Sequence, residues 1–128
     1  MRGKEGVASL SHCLTLSGME ARVKAGIWVS MAVRLADQSG RPAMVLRKGD
    51  PDSGGILCLL RGREGCMVLS QARDAEGRPA WMRGTGKDPV SEAEADAYVE
   101  RQVRRDPDLW VLEFEAPELR PPFEAIIL

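Results

Sequence analysis

The run Ile56-Leu57-Cys58-Leu59-Leu60 is apolar without interruption, and across Gly62-Arg63-Glu64-Gly65 it is followed by a second β-rich run. Two such runs joined by a short Gly-containing loop read as a β-hairpin with arms Ile56 to Arg61 and Cys66 to Ala72. A strand with one wet face alternates apolar and polar residues; Ile56 to Leu60 does not, so cover is needed on both of its faces. Helices on the two sides of a sheet can supply it.

The rest of the chain offers those helices. Val23 to Val29 (VKAGIWV) is β-rich and reads as the first strand. Val29, Ala32, Val33 and Ala36 then recur at helical spacing, giving a short helix from about Ser30 to Gln38 that Gly40 and Pro42 stop. Ala43 to Arg47 is the next strand, and Gly49 to Gly55 is turn chemistry throughout. Beyond the hairpin come a turn at Asp74 to Pro79, a short strand at Ala80 to Arg83 and a loop at Gly84 to Pro89. Ser91-Glu92-Ala93-Glu94 is a capping box that opens a helix over Glu92 to Arg105, with Ala95, Tyr98, Val99, Gln102 and Val103 on its inner face. Its acidic start and basic end both suit the helix dipole. Asp106-Pro107-Asp108 ends it, and Leu109 to Glu115 is the last strand. The order β-α-β-β-β-β-α-β predicts an α+β fold: a single mixed, mostly antiparallel sheet of about six strands flanked by two helices. With one helix on each face this is a three-layer α/β/α sandwich.

At 128 residues, 44% hydrophobic, the chain suits one domain with a core of its own. We place that domain at residues 22–116, with residues 1–21 as an extension expected to be poorly ordered and residues 117–128 as a Pro-rich tail with an apolar end. No apolar run approaches the roughly 20 residues of a membrane span. Val7 to Leu16 is too broken by polar residues for a secretory signal, and Met19 offers an alternative start. The three cysteines, Cys13, Cys58 and Cys66, lack metal-ligand spacing. In a hairpin joined by a two- or four-residue loop, Cys58 and Cys66 fall on opposite faces and do not bridge. A reduced, cytoplasmic protein is the expectation. Residues 1–87 carry 14 Lys+Arg against 8 Asp+Glu, whereas residues 88–128 carry 4 against 11. Two halves of one fold that attract each other account for this asymmetry, as does a nucleic-acid face with a separate acidic portion.

Several chemistries are excluded or narrowed. The single histidine, His12, lies in the extension, so a Ser-His-Asp triad or Cys-His dyad is excluded from the folded part. His12 and Cys13 alone do not complete a tetrahedral metal site. Gly84-Thr85-Gly86-Lys87 fails as a phosphate-binding Walker loop, because Trp81 stands where its first glycine belongs and Asp88 where Ser or Thr belongs. The same four residues remain a candidate anion loop through their backbone N–H groups. Asp50, Asp52, Asp106 and Asp108, in two Asp-Pro-Asp turns, are candidate ligands for Mg²⁺ or Ca²⁺ if the turns meet; as Asp-Pro sequences they are equally turn formers. Trp28, Trp81 and Trp110 each fall in a predicted strand. Trp81 with Arg61, Arg63, Arg73, Arg78 and Arg83 on hairpin ends forms a candidate nucleic-acid rim, with core packing as the alternative for the tryptophan. No cofactor motif is present.

The blocks GIWVS (Gly26 to Ser30), LRKGDPDSG (Leu46 to Gly54), ARDAEGRPAWMRGTG (Ala72 to Gly86) and EADAYVERQVRRDPDLWVLEFE (Glu94 to Glu115) resemble a family of small bacterial proteins catalogued as domain of unknown function 1491. The resemblance runs from Arg22 to Glu115 and implies that residues 1–21 are extra. It implies no activity and no site residue. The leading functional expectation is a non-enzymatic module that binds a protein partner or self-associates, the apolar tail being a candidate contact. A nucleic-acid binder using the arginine rim and a carboxylate-metal enzyme are the alternatives.

Overall fold

A computed structural model describes residues 23–128. The extension, with His12, Cys13 and Met19, lies outside the described residues. The elements are α1 (Ala25–Gln38), β1 (Met44–Arg47), β2 (Ile56–Arg61), β3 (Cys66–Arg73), β4 (Pro79–Arg83), α2 (Glu92–Arg105) and β5 (Trp110–Glu115). The fold is α+β, with one mixed sheet in the order β1-β5-β2-β3-β4. Among the five described strands β2 and β5 are the one parallel pair, from Ile56 opposite Trp110 to Arg61 opposite Glu115. These two sit at the centre of the sheet, which explains why Ile56 to Leu60 is buried throughout.

The sheet has five strands rather than six, because Val23 to Val29 is not a strand. One helix begins at Ala25 and carries Ala25, Trp28, Val29, Ala32 and Ala36 inward. The β-branched residues there are overridden by packing. Lys24, at the N-cap, makes no side-chain capping bond; instead Gly26 N donates to the carbonyl of Pro51 at 2.9 Å. The partner that satisfies this helix start comes from a distant loop, so no local signal announces it. Trp28 therefore lies on a helix.

α2 begins as its capping box requires: Ser91 Oγ accepts from Glu94 N at 3.1 Å. The helices cover opposite faces. On one, α1 packs over Ile56, Cys58, Leu60, Leu69, Leu112 and Phe114; on the other, Ala95, Tyr98, Val99 and Val103 of α2 pack over Leu57, Leu59, Cys66, Val68 and Val111. Cys58 and Cys66 thus belong to different cores and form no disulfide.

Residues 117–128, read as a tail, return to the α1 face. Phe123 is buried and packs edge-on to Trp28, with ring centroids 5.2 Å apart, and beside Trp81 at 5.9 Å and Phe114 at 6.0 Å. Trp81 N donates to Ile126 O and Leu128 N to Trp81 O, both at 2.8 Å, so the chain end lies along β4 as a parallel strand would. The acidic third does fold against the basic part. Among the described residues Arg61 joins them, with Nε 3.0 Å from Glu113 and Nη1 3.2 Å from Glu92.

Candidate functional site

The two Asp-Pro-Asp turns meet, but through their backbones. Asp50 N donates to Asp108 O at 3.0 Å, and Trp110 Nε1 donates to Asp50 O at 2.8 Å. The Asp50 carboxylate turns into its own loop, accepting from Ser53 N at 2.7 Å, Ser53 Oγ at 2.9 Å and Asp52 N at 3.2 Å. Asp52 faces Lys24 Nζ at 3.5 Å, and Asp106 accepts from Asp108 N at 3.1 Å. Among the described residues no group of three or more His, Cys, Asp or Glu is placed to hold a metal ion. Asp50, Asp52, Asp106 and Asp108 are thus turn formers here, and the expected ligand cluster is not assembled.

The hydrogen bonds from the Ser53 backbone and hydroxyl hold the Asp50 carboxyl below its ordinary range. Its folded pKa lies below the unfolded one, so its contribution is present above the unfolded value and is lost as pH falls through the folded value. Asp50→Asn should therefore remove part of the acid sensitivity. Urea midpoints followed downward from about pH 6 should fall less steeply for the variant than for the wild type; parallel curves would dismiss the effect.

Both glycine amides of the candidate anion loop are in use. Gly84 N donates to Val68 O at 2.8 Å and Gly86 N to Arg83 O at 3.1 Å, while Thr85 Oγ1 accepts from Val68 N at 3.2 Å. Gly84 to Thr85 thus continues the β3–β4 ladder, and the glycine amides are spent on backbone carbonyls rather than aimed together at an anion.

The arginine rim does not form one surface. Arg73 and Arg78 sit at one end of β3 and Arg61 and Arg63 at the other, about 24 Å away at roughly 3.4 Å per residue, while Arg83 stands opposite Leu69, about 14 Å along the strand from Arg73. Arg78 is paired with Asp74 at 2.7 Å and Glu76 at 3.1 Å, and Arg73 donates to Gly77 O at 3.1 Å. Trp81 is 1% exposed and lies 5.5 Å from Trp28, so it packs the core and offers no face for a base. Burial also pushes the Cys66 thiol up, which disfavours a nucleophilic thiolate.

Two surfaces that the sequence did not single out remain. The first is β1 at the open edge of the sheet, where Met44 is 59%, Val45 43% and Leu46 46% exposed. Its register against β5 shifts between Val45 and Arg47, leaving Leu46 unmatched. Pro42, just before it, is the signal that could have marked an edge strand. The opposite edge, β4, is covered by the chain end. The second is a groove of about 640 Å³ between the returning tail and strands β3 and β4. Met67, Leu69, Phe123 and Ile127 contribute apolar surface to it, and Arg83, Lys87, Arg120 and Glu118 its charges. Arg120 escaped notice because it lies in the segment taken for a tail.

A family model described as "Protein of unknown function (DUF1491)" matches residues 23–124. The chain belongs to the DUF1491 family. Its fold is shared with a DUF1491 protein from Caulobacter crescentus CB15, to which it is 34% identical with a TM-score of 0.72, covering 83% of this chain and 99% of that one. A solution structure of a DUF1491 protein from the same organism gives 32% identity, a TM-score of 0.71 and coverage of 83% and 96%. A protein from A. tumefaciens is 26% identical with a TM-score of 0.67, over 84% of this chain and 97% of that one. No curated protein matches. The names of these three proteins, all from bacteria, state no activity. Among the described residues of this DUF1491 chain no helix is long and apolar enough to cross a membrane.

Proposed function

We propose that this chain is a non-enzymatic protein-interaction module that pairs with a second copy of itself through β1. The observation that carries the reading is the unequal treatment of the two sheet edges: β4 is closed by the chain's own end, while among the described residues nothing pairs with the outer edge of β1, which exposes Met44, Val45 and Leu46 in succession. An open strand edge with apolar side chains is a template for pairing. One open edge per chain makes a closed, two-fold dimer rather than a filament. In an antiparallel pairing centred between Val45 and Leu46, Met44 falls opposite Arg47, so no like charges face each other. The strand is four residues long with an irregular register, which suits a weak association.

Light scattering should report a species of twice 14.0 kDa at high protein concentration that dissociates on dilution. Met44→Lys with Leu46→Lys places charge on exposed positions of the edge and should leave a folded monomer. A wild-type chain that stays monomeric at about millimolar concentration would refute the proposal.

A further inference from the structure

Beyond the β1 reading and independent of it, we propose that the groove between the tail and strands β3 and β4 binds a small amphiphile carrying one carboxylate on an apolar body. Its volume, about 640 Å³, lies within the range of sites that enclose small molecules. The apolar lining is formed by the half-buried Leu119, Ala125 and Ile127 of the tail, with the buried Met67, Leu69 and Phe123 beneath them. Against three cations, Arg83, Lys87 and Arg120, the groove holds one carboxylate, Glu118. Neither Lys87 nor Arg120 pairs with an acidic side chain among the described residues. Arg83 and Lys87 come from β4 and the loop after it, and Arg120 is the one cation that the otherwise acidic tail segment 117–128 brings to them.

The chemistry selects the head group. Arg83 donates from Nη1 to Leu128 O, an oxygen of the last residue, at 2.8 Å, so its guanidinium lies at the groove already partly engaged, and a ligand would meet its remaining donors together with Lys87 and Arg120. A planar carboxylate fits such a fork, and charge-assisted bonds to it outweigh those to a neutral hydroxyl. A polyanion suits the site poorly: Glu118 lines it, and the rings of Phe123 and Trp81 are buried, tilted at 47° against each other in the core, with little surface for a base to stack on.

The test uses the full chain with three probes, decanoate, decanol and inorganic phosphate, kept below the concentration at which decanoate forms micelles. Binding is followed by backbone amide shifts and calorimetry. Decanoate should saturate and shift the amides of Met67, Leu69, Phe123 and Ile127. Decanol and phosphate should each bind at least about tenfold more weakly, since one lacks the charge and the other the apolar body. Lys87→Glu with Arg120→Glu, both at exposed positions, should weaken decanoate about tenfold or more while leaving decanol binding and the melting temperature unchanged. Equal affinity for decanoate and decanol would overturn the proposal, as would phosphate binding as tightly as decanoate. Decanoate binding that survives the charge reversal, or fails to saturate, would overturn it too. The oligomeric state enters none of these readouts, so the groove and the β1 edge stand or fall separately.

Discussion

Phe123→Ala should lower the stability of this chain by about 3–5 kcal/mol, among the larger effects a single substitution produces. The ring is 6% exposed and completes a cluster with Trp28, Trp81 and Phe114. Removing it leaves a cavity bounded by two indoles and a phenyl ring that are locked by α1 and the sheet and cannot collapse into the space. It also frees the chain end that covers β4. The comparison that isolates the effect is Ile126→Ser, three residues on at a position 36% exposed, which should change stability by no more than about 0.5 kcal/mol. Urea denaturation read by tryptophan fluorescence supplies both values. A cost below about 1 kcal/mol for Phe123→Ala would mean that the C-terminal segment is an appendage after all.

The elements legible in the sequence are those whose signals are local. α2 carries its start in Ser91 and Glu94 and its inner face in Ala95, Tyr98, Val99 and Val103, all within fourteen residues. The β2–β3 hairpin fixes its own parity, so the separation of Cys58 from Cys66 follows from their numbers alone. The unbroken run Ile56 to Leu60 announced cover on both faces, and the structure places it beside the parallel partner β5 with a helix layer on either side. What could not be read depends on segments far apart in the chain. The start of α1 is satisfied by Pro51, and without that partner Val23 to Val29 has only its β propensity to offer.

The same division separates the site predictions. For Asp50, Asp52, Asp106 and Asp108 the sequence left open whether their two loops meet, and it does not say whether loops that meet do so by carboxylate or by carbonyl. Successive hairpin turns of an antiparallel sheet point to opposite ends, which divides Arg73 and Arg78 from Arg61 and Arg63, and Arg83 stands apart from both, midway along β3 opposite Leu69. The groove needed Phe123 and Ile127 to return to β4, a contact whose sequence cue is only an apolar end behind two prolines.

The meeting of the two Asp-Pro-Asp turns has an energetic consequence large enough to measure. Gly49→Ala should cost about 3 kcal/mol. A Cβ there would stand 2.2 Å from Asp108 O and 2.7 Å from the carbonyl carbon of Leu109, and these are backbone atoms with no rotamer by which to escape. The Asp108 carbonyl is fixed by its bond from Asp50 N, and the loop opposite is fixed by Trp110 Nε1 donating to Asp50 O. Gly54 closes the other side of the same carbonyl at 2.4 Å, so Gly54→Ala should cost a similar amount. Gly77→Ala separates crowding from backbone conformation: φ is +81° with nothing within 4 Å, so only the left-handed conformation is penalised, at about 1–2 kcal/mol. Thermal unfolding of the three variants should order them Gly49 and Gly54 below Gly77, all below wild type. Gly49→Ala as stable as Gly77→Ala would show that the loops can part without loss, and the clamp between β1 and β5 at this end of the sheet would lose its basis.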